Sequence, residues 1–298
     1  MKAEMRKYEF TGETEILCEG TILHRIRALI DIDLGWKIVK AGELGGWVEK
    51  EGNLSHIGKC WVYENAKVYG DARICGDSRI RGDAKVFGNA MVWDDAVVWD
   101  NAMVYGDAEV YGDARIRDDA KVFGNATVYG DAVVFGNAMV YGDAKVYGDA
   151  RIRDDAKVWG NAMVYGDANV YGDADVWGNA KVSGDAKVCG DAHIFEKDHV
   201  LVIGPIGSRS DYTTFMRNKR GEILVKCGCF LGTADEFLTK VQNTHGDSKH
   251  AVVYRAAVAL AVDQIDTTPE TEDEISATNH IADDACGSWI MKRFTKME

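Results

Sequence analysis

The residues best suited to chemistry gather in the last third of the chain. Gly204-Pro-Ile-Gly-Ser208-Arg209-Ser-Asp211 reads as a Gly-rich turn after an apolar strand, where successive backbone N–H groups can cradle an anion. It matches neither a Walker loop nor a dinucleotide fingerprint. Ser208, Arg209 and Asp211 are therefore ligand-binding candidates with no ligand named. Cys227-Gly-Cys229 reads as part of a strand, which would put both thiols on one face. With His245 and His250 it gives Cys-x-Cys-x15-His-x4-His. Zinc sites usually space their cysteines by two to four residues, so no metal is assigned. Cys229 as nucleophile with His245 as its base is the catalytic candidate, and buried structural Cys with surface His is the competing reading. No cofactor is assigned.

Those residues must be positioned by the elements around them. HVLVIGPIGS and GEILVKCGCF read as strands, and Thr233-Ala-Asp-Glu236 is a capping box that opens a helix through about Gln242. A second helix is expected from near Asp247 through KHAVVYRAAVALAV, and a last one over Ile275 to Phe294. Residues 196–298 are thus a compact α+β domain.

A different rule governs the chain before it. From Val62 to Ile194 every sixth residue is Val or Ile, and each through Val188 is followed four residues later by Ala, with Ser78 as the one substitute. Internal repeats outrank other sequence signals. Strands alternate side-chain direction, so Ala66 and Val68 share an inward face while Lys67 and Tyr69 point out. Gly70-Asp71 makes the corner, because Gly tolerates positive φ and Asp bonds nearby N–H groups. Three such walls give an 18-residue coil, a triangular β-solenoid over residues 61–195. Residues 1–60 form a β-rich cap, in which Thr21–Asp31 carries Ile22, Ile26, Ala28 and Ile30 on one parity. Ile38, Leu44 and His56 extend the six-residue register into it.

Folding the repeat at eighteen sorts its outward residues. One wall alternates Arg81, Arg117 and Arg153 with Tyr63, Trp99, Phe135 and Tyr171. The cause is a duplicated two-coil unit of 36 residues (RIRGDAKVFGNA, RIRDDAKVFGNA, RIRDDAKVWGNA). The three Arg either stack on neighbouring rings or read an extended anionic partner. The other two walls are largely aromatic, and such a wall suits a homo-oligomer, a trimer among them. One corner is all Asp from Asp77 to Asp185, which turn chemistry explains and a weak Ca²⁺ ladder would also fit. The other corners mix Asn with Asp and look like charge relief.

The unbroken aliphatic-x-x-x-small-x series resembles the bacterial hexapeptide-repeat family. That resemblance implies a left-handed parallel β-helix and, for many members, a trimeric acyl-coenzyme A-dependent transferase. The Gly-Asp-Ala-x-Val-Tyr version, with LGGWVEKEGNLS and CWVYENA before it, is similar to transferase-like bacterial and phage proteins. GPIGSRSDYTTF, CGCFLGT and THGDSKH look like a domain of phage and bacterial proteins. Enzymes of the hexapeptide class carry a catalytic His and a projecting loop. Here no insertion interrupts Val62 to Ile194, and His56 and His193 lie only at the ends of the repeat.

Composition narrows the rest. The net charge of −13, from 35 basic and 48 acidic residues, argues against general nucleic-acid binding, which rests on a basic footprint. No apolar run approaches the roughly 20 residues of a membrane span. The first residues lack a secretory signal core, and seven scattered Cys do not read as a disulfide framework. A cytoplasmic, non-enzymatic solenoid scaffold is expected, displaying a C-terminal domain that binds a protein or small molecule. The alternatives are a hexapeptide-type acyltransferase and a small-molecule binding or modifying activity in the C-terminal domain.

Overall fold

The computed structural model describes residues 6–268. The expected helix over 275–294 lies outside them. The fold is mainly β: a parallel solenoid of about eight turns at 18-residue spacing, followed by a small α+β region with two helices. The chain divides into two compact units, and the division falls inside the repeat. One unit runs to Val140 and includes Val146–Asp149, and the other comprises Tyr141–Lys145 and the chain from Ala150 onward.

In the first unit β1 (Tyr8–Ile16) and β2 (Ile22–Ala28) form an antiparallel hairpin, and β3 (Ile32–Asp33) pairs with β4 (Ile38–Val39). The next strand, β5 (Leu44–Val48), converts cap to coil. It runs antiparallel to β2 on one side and parallel to the strand Lys67–Val68 on the other. Gly45 and Gly46 make this junction possible. A Cβ at Gly45 would lie 2.6 Å from Ile26 Cγ1, and one at Gly46 would lie 2.6 Å from the Ala66 carbonyl.

The inner register of the cap differs from the sequence expectation. Ile38 and Leu44 are exposed, while Val48 and Leu54 are buried and pair with Val68 and Ile74. The six-residue spacing therefore starts earlier than Val62, but offset by two residues that are inserted before Cys60. Ile22 is also exposed, and Leu23, Ile26 and Ala28 are the inward residues of β2. The register of β2 against β5 shifts between Arg25 and Arg27, and such an irregularity breaks strict alternation. His56, placed in the register by spacing, instead serves the cap. Its Nδ1 accepts the Lys7 backbone N–H at 3.1 Å, and its ring stacks on Tyr8 at 4.4 Å.

Each coil then repeats one packing rule. The inward Val, Ile and Ala are fully buried from Val62 to Ile194, and Ser78 is buried in the Ala column. Ser78 meets the cost of burial by donating to the Cys75 carbonyl at 2.7 Å. Val68, Val86, Val104, Val122 and Val140 stand in parallel register in the first unit. Ile152, Val170 and Val188 do the same in the second. Full burial of one such side chain is worth about 1.5–3 kcal/mol, so a coil without breaks accumulates stability by addition.

Corners need a left-handed residue, and Gly supplies it at most of them, with φ near +70° at Gly112 and Gly130. Acidic residues take that place at Glu64, Asp94, Asp100, Asp118 and Asp154, at φ of 53° to 61°. Four of the five carboxylates return the favour to the next coil. Glu64, Asp94, Asp118 and Asp154 accept the backbone N–H of Gly82, Gly112, Gly136 and Gly172, at 2.7 to 3.3 Å. The bond offsets part of the strain that a non-Gly residue bears there.

In the second unit the last coil leads into a four-stranded antiparallel meander: Val200–Ile206, Asp211–Arg217, Ile223–Cys227 and Phe230–Thr233. Two helices complete it, α1 (Ala234–His245) and α2 (Lys249–Gln264). The meander seals the open end of the repeat. Lys187 N–H donates to Thr214 Oγ1 at 2.9 Å, Lys219 N–H to the Asp191 carbonyl at 3.2 Å, and Ala192 bridges Asn218. Arg217 lies over the Phe195 ring at 4.9 Å. A solenoid end exposes unpaired backbone and apolar core; the meander pairs part of that backbone, at Lys187, Asp191 and Ala192, and Val182, Val188 and Ile194 are buried.

Candidate functional site

A cleft of about 190 Å³ opens in the C-terminal domain. Its construction follows from local sequence. Strand Val200–Ile206 runs further than the Gly-Pro pair suggests, so the turn is Gly207–Ser210, with Gly207 at φ 74° and Ser210 at φ 49°. A Cβ at Gly207 would fall 1.8 Å from the Tyr254 hydroxyl. Glycine there lets α2 press its phenol against the turn.

The second rim is a correction. Cys227-Gly-Cys229 is not one strand but the tip of a hairpin, with Cys227 paired to Phe230 and Gly228 at φ 56°. Gly at the first central position of a two-residue loop suits the right-handed twist of the flanking strands. Cys227 and Cys229 nevertheless both face the cleft.

Helix α1 makes the third side. Its capping box is complete: Thr233 Oγ1 accepts Glu236 N–H at 3.3 Å, and Glu236 Oε2 accepts Thr233 N–H at 2.9 Å. The helix runs past Gln242 to His245 and ends at Gly246. Phe237, Lys240, Val241, Thr244 and His245 fall at helical spacing, so one face lines the cleft. Phe237 and Val241 are also core residues, packed with Phe215, Val225 and Tyr254.

Ser208, Arg209, Asp211, Cys229 and His245 all line this one cleft. Tyr254, Lys240 and Thr244 join them and were not singled out by motif. Their signal was available: Lys240 and Thr244 share the helical face that ends at His245.

The electrostatics are uneven. Asp211 Oδ1 accepts the Tyr212 N–H at 2.8 Å, and Lys187 Nζ lies 3.7 Å from Oδ2. Among the described residues Arg209 and Lys240 have no carboxylate partner. The Arg209 guanidinium abuts the hairpin tip, with Nη1 3.3 Å from where a Gly228 Cβ would stand. The Tyr254 phenol is pushed up to about 12, by burial first and then by the Cys227 thiol, while Ser208 pulls the other way. At neutral pH it is a protonated hydroxyl, not a base. Cys227 Sγ stands 3.8 Å from that hydroxyl and accepts from Thr213 Oγ1 at 3.4 Å.

The candidate pair Cys229 and His245 lines one cleft, without a hydrogen bond between them among the described residues. The His245 ring lies 5.8 Å from Tyr254 and 5.9 Å from His250. The described residues also contain no group of three or more His, Cys, Asp or Glu that could hold a metal ion.

The solenoid arginines are engaged where they stand. Arg81 lies 5.1 Å from the Trp99 ring, Arg117 4.3 Å from Phe135, and Arg153 4.2 Å from Tyr171. Arg117 also reaches Asp118 at 3.4 Å and Arg153 reaches Asp154 at 2.9 Å. Along the mixed corners Asn65, Asn89 and Asn101 donate to Asp83, Asp107 and Asp119 at 2.7 to 3.2 Å, so alternation does relieve charge. His193 packs against Trp177 and Phe195, each 5.8 Å away.

Residues 120–135 match the family model of the YdcK beta-solenoid repeat. The match spans less than one coil, so it supports the repeat architecture and reaches no residue of the cleft. No curated protein matches the chain.

Proposed function

We propose that the chain is a solenoid scaffold whose C-terminal domain binds a small anionic molecule in the cleft between the hairpin tip, the Gly207–Ser210 turn and α1. One observation carries the reading. Arg209 and Lys240 face the same cleft with no carboxylate partner among the described residues, over a floor formed by buried Phe237 and Val241. Ligand sites combine an apolar lining with a few convergent polar groups. Tyr254 and Ser208 add neutral hydroxyls at the back, and Asp211, already bonded to Tyr212 and near Lys187, is partly compensated.

A thermal-shift screen of small carboxylates and phosphates tests this. At least one compound should raise the melting temperature of the wild-type chain. The shift should vanish in Arg209→Ala/Lys240→Ala and persist in Arg81→Ala. Equal shifts in wild type and the double variant, or no shift from any anion, would sink the reading.

A further inference from the structure

The two cysteines at the hairpin tip differ from the other described thiols. Cys60 and Cys189 are buried and Cys75 is half-buried, and burial pushes all three thiols up, which leaves a thiol inert. Cys18 is exposed and stands alone in the sequence. Cys227 and Cys229 instead flank a single Gly, line one cleft, and are half-buried and exposed respectively.

Chain geometry brings the pair within reach of each other. Two successive trans peptides separate their Cα atoms by at most about 7.6 Å, and the turn at Gly228 shortens that span. Disulfides need roughly 4.4–6.8 Å. A disulfide closed across so short a loop and open to solvent belongs to the labile class that reduces readily. Two cations stand at the same mouth: Arg209 against the tip and Lys240 on the facing helix.

We propose that Cys227 and Cys229 form a reversible dithiol–disulfide pair that exchanges with small anionic disulfides and thiols at this cleft. The exposed Cys229 thiolate attacks one sulfur of the incoming disulfide, forms a mixed disulfide and releases one thiolate. Cys227 then attacks the Cys229 sulfur, closes the intramolecular bond and releases the second thiolate. The two protons lost by the protein thiols go to the two departing thiolates. The protein is oxidised by two electrons and the small disulfide is reduced by two. The Thr213 hydroxyl, 3.4 Å from Cys227 Sγ, is placed to donate to that sulfur as it gives up its proton.

The test uses the full chain in buffers of varied reduced-to-oxidised glutathione ratio, with acid quench, alkylation and peptide mass analysis. The expected result is a peptide holding both residues that loses two hydrogen masses at oxidising ratios and regains them on reduction. Cys227→Ser should accumulate a glutathione adduct on Cys229, because nothing resolves it. Arg209→Ala/Lys240→Ala should slow oxidation several-fold at low salt, with the difference shrinking as salt rises. Wild-type thiols that stay alkylatable at every ratio overturn the pair. So does a stable Cys229 adduct in wild type equal to that of Cys227→Ser. An unchanged rate in the double cation variant removes the anionic class of partner. The wild-type mass readout needs no bound anion, so its failure is distinct from failure of the binding reading.

Discussion

The repeat and the C-terminal domain use the same kinds of polar side chain to opposite ends. In the repeat, Arg117 faces the Phe135 ring and reaches Asp118, and Asn89 donates to Asp107 one coil on. In the C-terminal domain Arg209 and Lys240 line a cleft, and neither is in an ion pair among the described residues. Duplication explains the difference. Copying a coil copies each residue together with its partner, so the outward chemistry satisfies itself. A domain that occurs once has no such bookkeeping, and its unanswered groups are the ones free to meet a ligand.

The largest test of this contrast is core removal on each side of it. Phe237→Ala should cost about 3–5 kcal/mol, because Phe237 is both core and floor of the cleft, and it should abolish any anion-induced thermal shift. Ile116→Ala, fully buried in the repeat, should cost about 2–5 kcal/mol and leave that shift intact. Calorimetry with and without the anion reads both. A cleft that still responds in Phe237→Ala would break the link between core and site.

Corners sharpen the comparison at a smaller scale. Gly112 has φ 68°, and a Cβ there would sit 2.9 Å from Gly130 N. Gly112→Ala should therefore destabilise by about 1–3 kcal/mol. Asp118→Gly trades the bond to Gly136 and the Arg117 pair for relief of left-handed strain, and should stay within about 1 kcal/mol of wild type. Equal losses in the two variants would mean that the corner conformation is not what the repeat conserves.

The junction of the two regions should respond to acid. His199 is buried, and its Nδ1 accepts the Phe195 N–H at 3.3 Å. Burial first, then the Arg217 guanidinium, hold its imidazole below the ordinary value of 6.5. The unfolded chain thus takes up a proton there at higher pH than the folded chain. The stability this contributes is present above pH 6.5 and is lost as pH falls through the folded value, with a slope of at most about 1.4 kcal/mol per pH unit. His199→Gln should flatten the melting temperature between pH 7 and 5. An unchanged slope would place the acid sensitivity elsewhere.

How much of this was legible depended on repetition. Val and Ala columns, aromatic walls and the Asn–Asp corners followed from spacing alone, because a period of six leaves side chains only one arrangement. The cap was misread where spacing slipped: Ile38 and Leu44 kept the count but not the register, since two extra residues before Cys60 shift Val48 and Leu54 inward. In the C-terminal domain composition misled at Cys227-Gly-Cys229, which reads as strand until Gly228 is weighed as a two-residue hairpin loop. That Ser208, Arg209, Cys229 and His245 share one cleft was not legible, because a meander and two helices bring together segments that no spacing connects.

The smallest expected effect concerns the solenoid wall whose arginines could either stack on rings or read an anionic partner. Arg117 is partly exposed and already has a ring and a carboxylate. Exposed ion pairs and cation–π contacts are each worth about 0.5 kcal/mol. Arg117→Gln should therefore lower stability by no more than about 1 kcal/mol, with the loss shrinking in high salt because half of it is an ion pair. A self-satisfied wall predicts also that Arg81→Gln/Arg117→Gln leaves binding of a polyanion such as heparin unchanged from its wild-type baseline, measured by affinity chromatography at low salt. Early elution of the double variant would return the arginines to the functional side of the comparison, and the division between a self-paired repeat and an unpaired cleft would fail there first.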